Sequence, residues 1–327
     1  MNLFDYTHQN HFRFGYLEAG APEGTTPEWF RSPEGTEAMN WVIGFNTCTY
    51  RPHSLREECY RAARLIHESA EEVGEVPNLL FSGGSESEIV VRSFHEQQLP
   101  FRVSILRYKK NLNLHDIAFA VTFCIQRKIP YDIIDLNIVK FWEDEVDEYA
   151  ARTHCPTPQL PPTMWLADQV EGIPVLGSGE PYVKKDVPED YEPGVSEYKP
   201  SMWFFEEKER IQAWYRHFFR QQRPAVPGFF QYTPELMYMF LVDPVVMQLV
   251  NNQRIGKLST VSSKSEIYRG YFKDMLVRPK FGGFEMVMAE EEIVRERLTE
   301  WYGDFNRSSL IEYSQMVGML SAGFRSA

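Results

Sequence analysis

Residues 79–87 read Leu-Leu-Phe-Ser-Gly-Gly-Ser-Glu-Ser, and no other stretch of the chain limits the fold so sharply. An apolar run (Val76, Leu79, Leu80, Phe81) breaks at once into glycines and hydroxyls. Ile89, Val90 and Phe94 then recur at helical spacing. The pattern is a strand, a glycine turn and a helix N-terminus. Peptide N–H groups of such a turn point outward, the helix dipole favours negative charge there, and Ser82, Ser85 and Ser87 add hydroxyl donors. The arrangement suits a phosphate or pyrophosphate group; the same spacing is also compatible with a plain tight turn. It is not a Walker loop, since no Lys-Ser or Lys-Thr follows, and it lacks the third spaced glycine of the dinucleotide fingerprint.

The flanking sequence predicts the frame around that turn. Residues 41–45 read as a short strand. Ser54 and Glu57 have the form of a capping box, opening a helix with Leu55, Cys59, Ala62, Ala63, Ile66, Ala70 and Val73 on one face. Gly74 and Pro77 end it. Residues 101–106 predict a second strand and residues 131–136 a third. Between them, residues 114–127 predict a helix with Leu114, Ile117, Ala118, Val121, Cys124 and Ile125 inward. A proline-rich stretch at 153–163 and a helix at 164–169 lead to a fourth strand at 172–176. That strand ends in a second glycine turn, Gly177-Ser178-Gly179-Glu180. Alternating strands and helices imply a parallel sheet with ligands at the carboxyl ends of its strands. The two glycine turns are thus expected to flank one ligand.

Residues 182–201 read as a hairpin or an ordered loop, and from Met202 onward the chain reads as mainly helical. A helix over 206–219 carries Ile211, Trp214, Tyr215 and Phe218 on one face. Others open at Thr233-Pro234 and Asp243-Pro244, and a late one carries Ile293, Val294, Leu298, Trp301 and Tyr302. The expected fold class is α/β: a parallel sheet flanked by helices, with a mainly helical C-terminal region. The expected organisation is an irregular segment plus helix over 1–75, an α/β nucleotide-binding core over 76–190, and a helical region over 191–327 that completes the site.

Composition narrows the function classes. A net charge of -12 argues against the nucleic-acid backbone as a partner, because that needs a basic stripe. Cys48, Cys59, Cys124 and Cys155 show no paired spacing and read as reduced, buried thiols of a cytoplasmic protein. No apolar run approaches membrane-spanning length, and the start of the chain lacks the basic flank and apolar stretch of a signal peptide. His8, His11 and His154 offer no zinc spacing.

The pattern Ser-Gly-Gly-x-acid-Ser resembles the pyrophosphate-binding loop of the PP-loop ATP pyrophosphatases, in their asparagine-synthetase-like branch. That family carries Ser-Gly-Gly-x-Asp-Ser, and here the acid is Glu86. The resemblance extends in order over about residues 76–300. Asn113-Leu114-His115-Asp116 resembles the start of the helix after the second strand. Residues 172–180 resemble the second glycine motif, although Glu180-Pro181-Tyr182 stands where the family has further acids. Asp186 is the substitute if that loop folds back. Residues 232–235 with Asp243-Pro244 are similar to the helical region, and Lys264 to Arg269 with Val277 to Phe284 to the closing segment.

The resemblance implies an adenine nucleotide alpha hydrolase-like fold and an AMP-forming ligase without a glutaminase domain. ATP and Mg²⁺ are the implied cofactors, with a small-molecule carboxylate and an amine or ammonia as substrates. Ser82, Gly83, Gly84, Ser85 and Ser87 would cradle pyrophosphate. Glu86, with Glu180, would hold the metal. Lys280 and Lys264 would stabilise developing charge, Leu106 would meet the adenine, and Gly177 and Gly179 would line the other side. Plainer readings stand beside these: Glu86 is favoured in a helix's first turn by the dipole alone, Lys264 and Lys280 suit a solvated surface, and Glu180 suits a turn. Two other functions remain open: a nucleotide-binding protein without catalysis, and a PP-loop enzyme acting on nucleotides or tRNA. A membrane is not an expected partner, and a homo-oligomer is left open.

Overall fold

The structure is a computed structural model that describes residues 13–17, 40–44, 47–153, 160–181, 183–186, 202–205, 213–214, 217–218, 221, 223–251, 257–275, 278, 284–296 and 309–326. Strands β1 (Arg13–Leu17) and β2 (Asn40–Gly44) pair antiparallel as a ribbon. Helix α1 (Leu55–Glu72) leads into β3 (Pro77–Leu80), α2 (Ser85–His95), β4 (Arg102–Tyr108), α3 (Leu114–Arg127) and β5 (Asp132–Leu136). Three helices, α4 (Ile138–Asp144), α5 (Val146–Thr153) and α6 (Leu160–Gln169), then bring the chain back to β6 (Ile173–Leu176). These four strands form one parallel sheet in the order β5-β4-β3-β6. The chain runs outward from β3 through β4 to β5 and then returns to the other side of β3. The direction of winding therefore reverses between β3 and β6, the position where open α/β sheets form a crevice.

Both faces of the sheet are covered, as its side-chain alternation requires. Leu79, Phe81, Val103, Ile105, Ile173 and Val175 point into one core with α1, α2 and α3. Leu80, Tyr108, Leu136 and Leu176 point into a second, with Phe141, Trp142, Met164 and Leu166 from α4 and α6. Period-two alternation along the strands thus feeds two separate apolar layers.

Helix α3 has the expected bounds but presents a different face. Ile117, Ala120, Phe123 and Cys124 are buried, whereas Leu114 and Ile125 are exposed. Phe123 accounts for the rotation: it meets Phe81 edge-on at 5.7 Å and carries the guanidiniums of Arg92 and Arg127 near its ring. Ser54 occupies the N-cap of α1, but its side chain makes no capping bond there, so the expected capping box is not formed. Val73, expected on the inner face, is exposed.

The C-terminal part adds β7 (Lys184–Asp186), β8 (Met202–Phe205), α7 (Pro234–Leu241), α8 (Pro244–Asn251), β9 (Lys257–Ser259), α9 (Thr260–Tyr271), α10 (Glu285–Glu290), β10 (Ser309–Glu312) and α11 (Tyr313–Ser321). Its described residues are largely helical, with two short antiparallel ribbons among them, β7–β9 and β8–β10. Helix α7 starts as its sequence dictates: Pro234 sits at its first turn and Thr233 Oγ1 accepts from the Leu236 N–H at 3.1 Å. Asp243 Oδ1 likewise accepts from the Val245 N–H at 2.8 Å, at the start of α8. Among the described residues no helix is long and apolar enough to cross a membrane. Cys48, Cys59 and Cys124 are free and buried. Cys155, His8, His11, His154, Trp301 and Tyr302 lie outside the described residues.

Candidate functional site

The strand β3 ends against the turn that the sequence marks out. Phe81 N–H still donates to Ser104 C=O on β4 at 2.9 Å, and the chain then leaves the sheet. Gly83 adopts φ +88°, a left-handed conformation that a side chain strains. A Cβ there would also lie 2.2 Å from the Asp116 carbonyl oxygen, so the start of α3 packs directly beneath the turn. Gly84 is the N-cap of α2. Ser82 Oγ lies 3.3 Å from the Gly84 N–H and 3.0 Å from Ser87 Oγ, and Ser87 Oγ donates to the Gly84 carbonyl at 3.1 Å. The amides of Ser85, Glu86 and Ser87 are the first-turn N–H groups that a helix cannot satisfy internally. They sit at the positive end of an eleven-residue helix.

The second glycine turn lies against the first. β6 is the hydrogen-bonded neighbour of β3. A Cβ on Gly177 would stand 2.6 Å from Ser87 Cα and 2.7 Å from Ser87 N, so only glycine allows the two turns to close on each other. Gly179 has φ +92° and packs on the Gln231 side chain. Ser178 Oγ donates to the Pro227 carbonyl at 2.7 Å, anchoring the second turn to the segment before α7.

Three expected site residues converge at this junction. The Lys264 ammonium, from α9, pairs with Glu86 of the first turn and lies 2.8 Å from Glu180 of the second. All three side chains are mostly buried, between 13% and 17% exposed. Residues far apart in sequence thus form a carboxylate–ammonium–carboxylate cluster at the crevice between β3 and β6. The burial of Tyr268, one turn along α9 from Lys264, raises its phenol well above the usual range, and the charge of Glu180 adds to the effect.

The donor set can be tested against a divalent cation. Glu86 and Glu180 converge on a single cation position, and the lysine ammonium takes it. Among the described residues no group of three or more His, Cys, Asp or Glu is arranged to hold a metal. Magnesium is commonly bound by one or two carboxylates together with substrate phosphates. Two converging carboxylates beside a helix N-terminus fit that mode, and do not fit a metal held by protein alone.

Other expected positions fall as follows. Leu106 is half-buried at the end of β4. Its carbonyl accepts from Asn113 Nδ2 at 2.9 Å, while Asn113 Oδ1 accepts from the Tyr108 N–H at 2.8 Å. One asparagine side chain therefore engages the backbone at Leu106, expected to face an adenine, and at Tyr108. Asp186 lies in β7, its backbone in register with Lys257 of β9, which leads into the helix bearing Lys264. Lys280 lies outside the described residues. Its neighbours in the closing segment are docked over the strand ends. Arg278 donates to the Gly83 carbonyl at 2.5 Å, Phe284 stands edge-on to Tyr108 at 6.0 Å, and Glu291 pairs with Lys110 at 2.8 Å.

Arg278 and Asn113 are the residues that a reading by motif leaves without a role. For Arg278 the available signal is its place in the run Arg278-Pro279-Lys280; for Asn113 it is its position before α3. Compared with known proteins, the sequence matches no family model and no curated protein.

Proposed function

We propose that this chain binds ATP at the β3–β6 crevice and splits it to AMP and pyrophosphate while activating a small-molecule carboxylate for attack by an amine. This keeps the asparagine-synthetase-like PP-loop resemblance, and with it the adenine nucleotide alpha hydrolase-like fold, as the interpretation of the sheet. The observation that carries it is the meeting of Glu86, Glu180 and Lys264 where two glycine turns close on each other. A purely structural pair of turns has no need of two carboxylates and an ammonium at their junction.

On this reading the polyphosphate lies across the first turn of α2, accepting from the amides of Gly84, Ser85 and Glu86 and the hydroxyls of Ser82 and Ser85. Glu86 and Glu180 would hold Mg²⁺, which supplies charge neutralisation of the polyphosphate. Lys264 then transfers its charge from the two carboxylates to the phosphate oxygens, where negative charge builds as pyrophosphate leaves. The substrate carboxylate attacks the α-phosphorus, the bond to the pyrophosphate oxygen breaks, and an acyl-adenylate forms. An amine then adds to the acyl carbon, AMP leaves, and an amide results. Much of the catalysis is positioning, which two rigid strand ends provide. Lys280, shortly after Arg278 in the chain, is assigned to the acyl-transfer step by the resemblance alone.

The test is ATP–pyrophosphate exchange against a panel of carboxylic acids, with nucleotide products resolved by chromatography. AMP with pyrophosphate is the expected outcome; ADP with phosphate overturns the proposal. A second reading, nucleotide binding without turnover, is favoured by the way Lys264 already neutralises both carboxylates. Magnesium-dependent turnover that Glu86→Ala abolishes would exclude it.

A further inference from the structure

The first glycine turn is held from outside its own strand and helix. Arg278 donates through Nη1 to the Gly83 carbonyl at 2.5 Å and pairs through Nη2 with Glu88. Glu88 also accepts from Arg92 Nε at 2.7 Å, and Arg92 lies 3.5 Å from Glu96. Glu88 and Arg92 are buried, and the Arg278 side chain is only 9% exposed. The Arg278 guanidinium lies 5.1 Å from the Phe119 ring centre of α3. Burial lowers its pKa to about 10, which leaves it cationic at neutral pH.

Two physical consequences follow. The first is geometric. In a trans peptide the carbonyl and the next N–H point in opposite directions. Pinning the Gly83 carbonyl onto Arg278 therefore aims the Gly84 N–H away from the protein interior, toward the exposed Ser82 side. The second is electrostatic. Glu88 is a carboxylate buried in the first turn of α2, where it would repel an anion bound at that helix end. Arg92 pairs with it at 2.7 Å and reaches Glu96 at 3.5 Å. Glu96 is also paired with Arg56 at 2.9 Å, so Arg278 is the second guanidinium on Glu88, and its loss takes one positive charge from beneath the turn.

We propose that Arg278 is a positioning residue for polyphosphate: it fixes the Gly83–Gly84 peptide with its N–H outward and neutralises Glu88 beneath it. The proposal rests on the nucleotide reading of the site, and its test separates the two. Amide hydrogen exchange over residues 82–88 is measured on the free protein, and inorganic pyrophosphate and Mg–ATP are titrated calorimetrically. The proteins are wild type, R278M, R278K and the double variant R278M/E88Q. In R278M, exchange over the turn rises and pyrophosphate binds about tenfold more weakly, the scale of one charge-assisted hydrogen bond. The double variant regains affinity, because removing the Glu88 charge offsets the lost guanidinium, but not the protection of the turn. A charge-preserving R278K loses the two-pronged contact, so its turn also exchanges faster. Wild-type exchange and affinity in a folded R278M overturn the proposal; if R278M does not fold, wild-type exchange over the turn in R278K overturns it. If the wild-type protein binds neither ATP nor pyrophosphate, the nucleotide reading fails and the positioning role for polyphosphate falls with it. Faster exchange in the variants would then mark a structural clamp only.

Discussion

A methyl group at Gly83 has nowhere to go: the backbone is left-handed and the Asp116 carbonyl occupies the space. Gly83→Ala is expected to lose about 1–3 kcal/mol from backbone strain alone, with the collision added. Denaturant unfolding measures this loss, and a variant as stable as wild type would contradict the described turn. Lys264 makes the opposite kind of prediction. Its ammonium neutralises Glu86 and Glu180, so Lys264→Met leaves two carboxylates facing one another. Mn²⁺ binding to nucleotide-free protein, followed by its electron paramagnetic resonance signal, should strengthen in Lys264→Met and vanish again when Glu86→Gln is added. Unchanged binding in the single variant would show that the carboxylates do not share a cation position. At this scale the family resemblance named Glu86, Glu180 and Lys264 as candidates, and the structure brings the three together. That Lys264 bridges the two acids was not, because the pairing depends on where α9 lands.

Among the elements, α5, α6 and the helical residues His217 and Gln221 share a largely buried polar cluster with no counterpart in any motif. His217 is fully buried; its Nε2 lies 2.8 Å from Asp168 Oδ1, its Nδ1 3.2 Å from Arg152, and its ring stacks on Tyr149. Tyr149 O–H and Gln221 Nε2 also donate to Asp168, at 2.8 and 2.7 Å. Burial lowers the His217 pKa below 6.5, outweighing the pull of Asp168. Asp168 is held below 3.8: burial raises it, but its hydrogen bonds from His217, Gln221 and Tyr149 prevail. For His217 the unfolded chain takes up the proton first, so stability is full above 6.5 and falls as pH drops toward the folded value. Asp168 adds a second loss, below 3.8. Thermal melts between pH 8 and pH 5 should show the first decline in wild type and a shallower one in His217→Gln; parallel curves would remove His217 as the cause.

This cluster was illegible in sequence because its members have no common spacing, and burial alone makes them partners. The helices themselves were partly legible. The bounds of α3 and the start of α7 followed from breakers and caps. The inward face of α3 did not, since Phe123 swings it toward Phe81 and two guanidiniums. Helices α4 and α5 went unread in a charged stretch whose apolar residues, such as Phe141 and Trp142, show inward only once the second core exists.

Across the whole molecule the parallel sheet was the most legible feature, because alternating strands and helices leave few topologies. Its order, with β6 beside β3, brings the two glycine turns together and needed the structure to be seen. The same is true of the chain's late contributions. The Cys48 N–H donates to the Leu320 carbonyl at 2.8 Å, and a Cβ on Gly323 would stand 2.0 Å from the Cys48 carbonyl oxygen. Burial pushes the Cys48 thiol far up, so it should be inert in the full chain. In a chain ending before Leu320, a thiol reagent should label Cys48, as read by peptide mass spectrometry; a protected Cys48 would mean that the segment from Leu320 onward is not its cover.

That seam has a consequence for biosynthesis. A ribosome delivers β3 to β6 long before it delivers Lys264, Arg278 or Leu320, so the sheet can form while its crevice still lacks its ammonium, its guanidinium and the seal over Cys48. On the proposed nucleotide reading, the crevice of a nascent chain stays incomplete until residues 264–320 have been made.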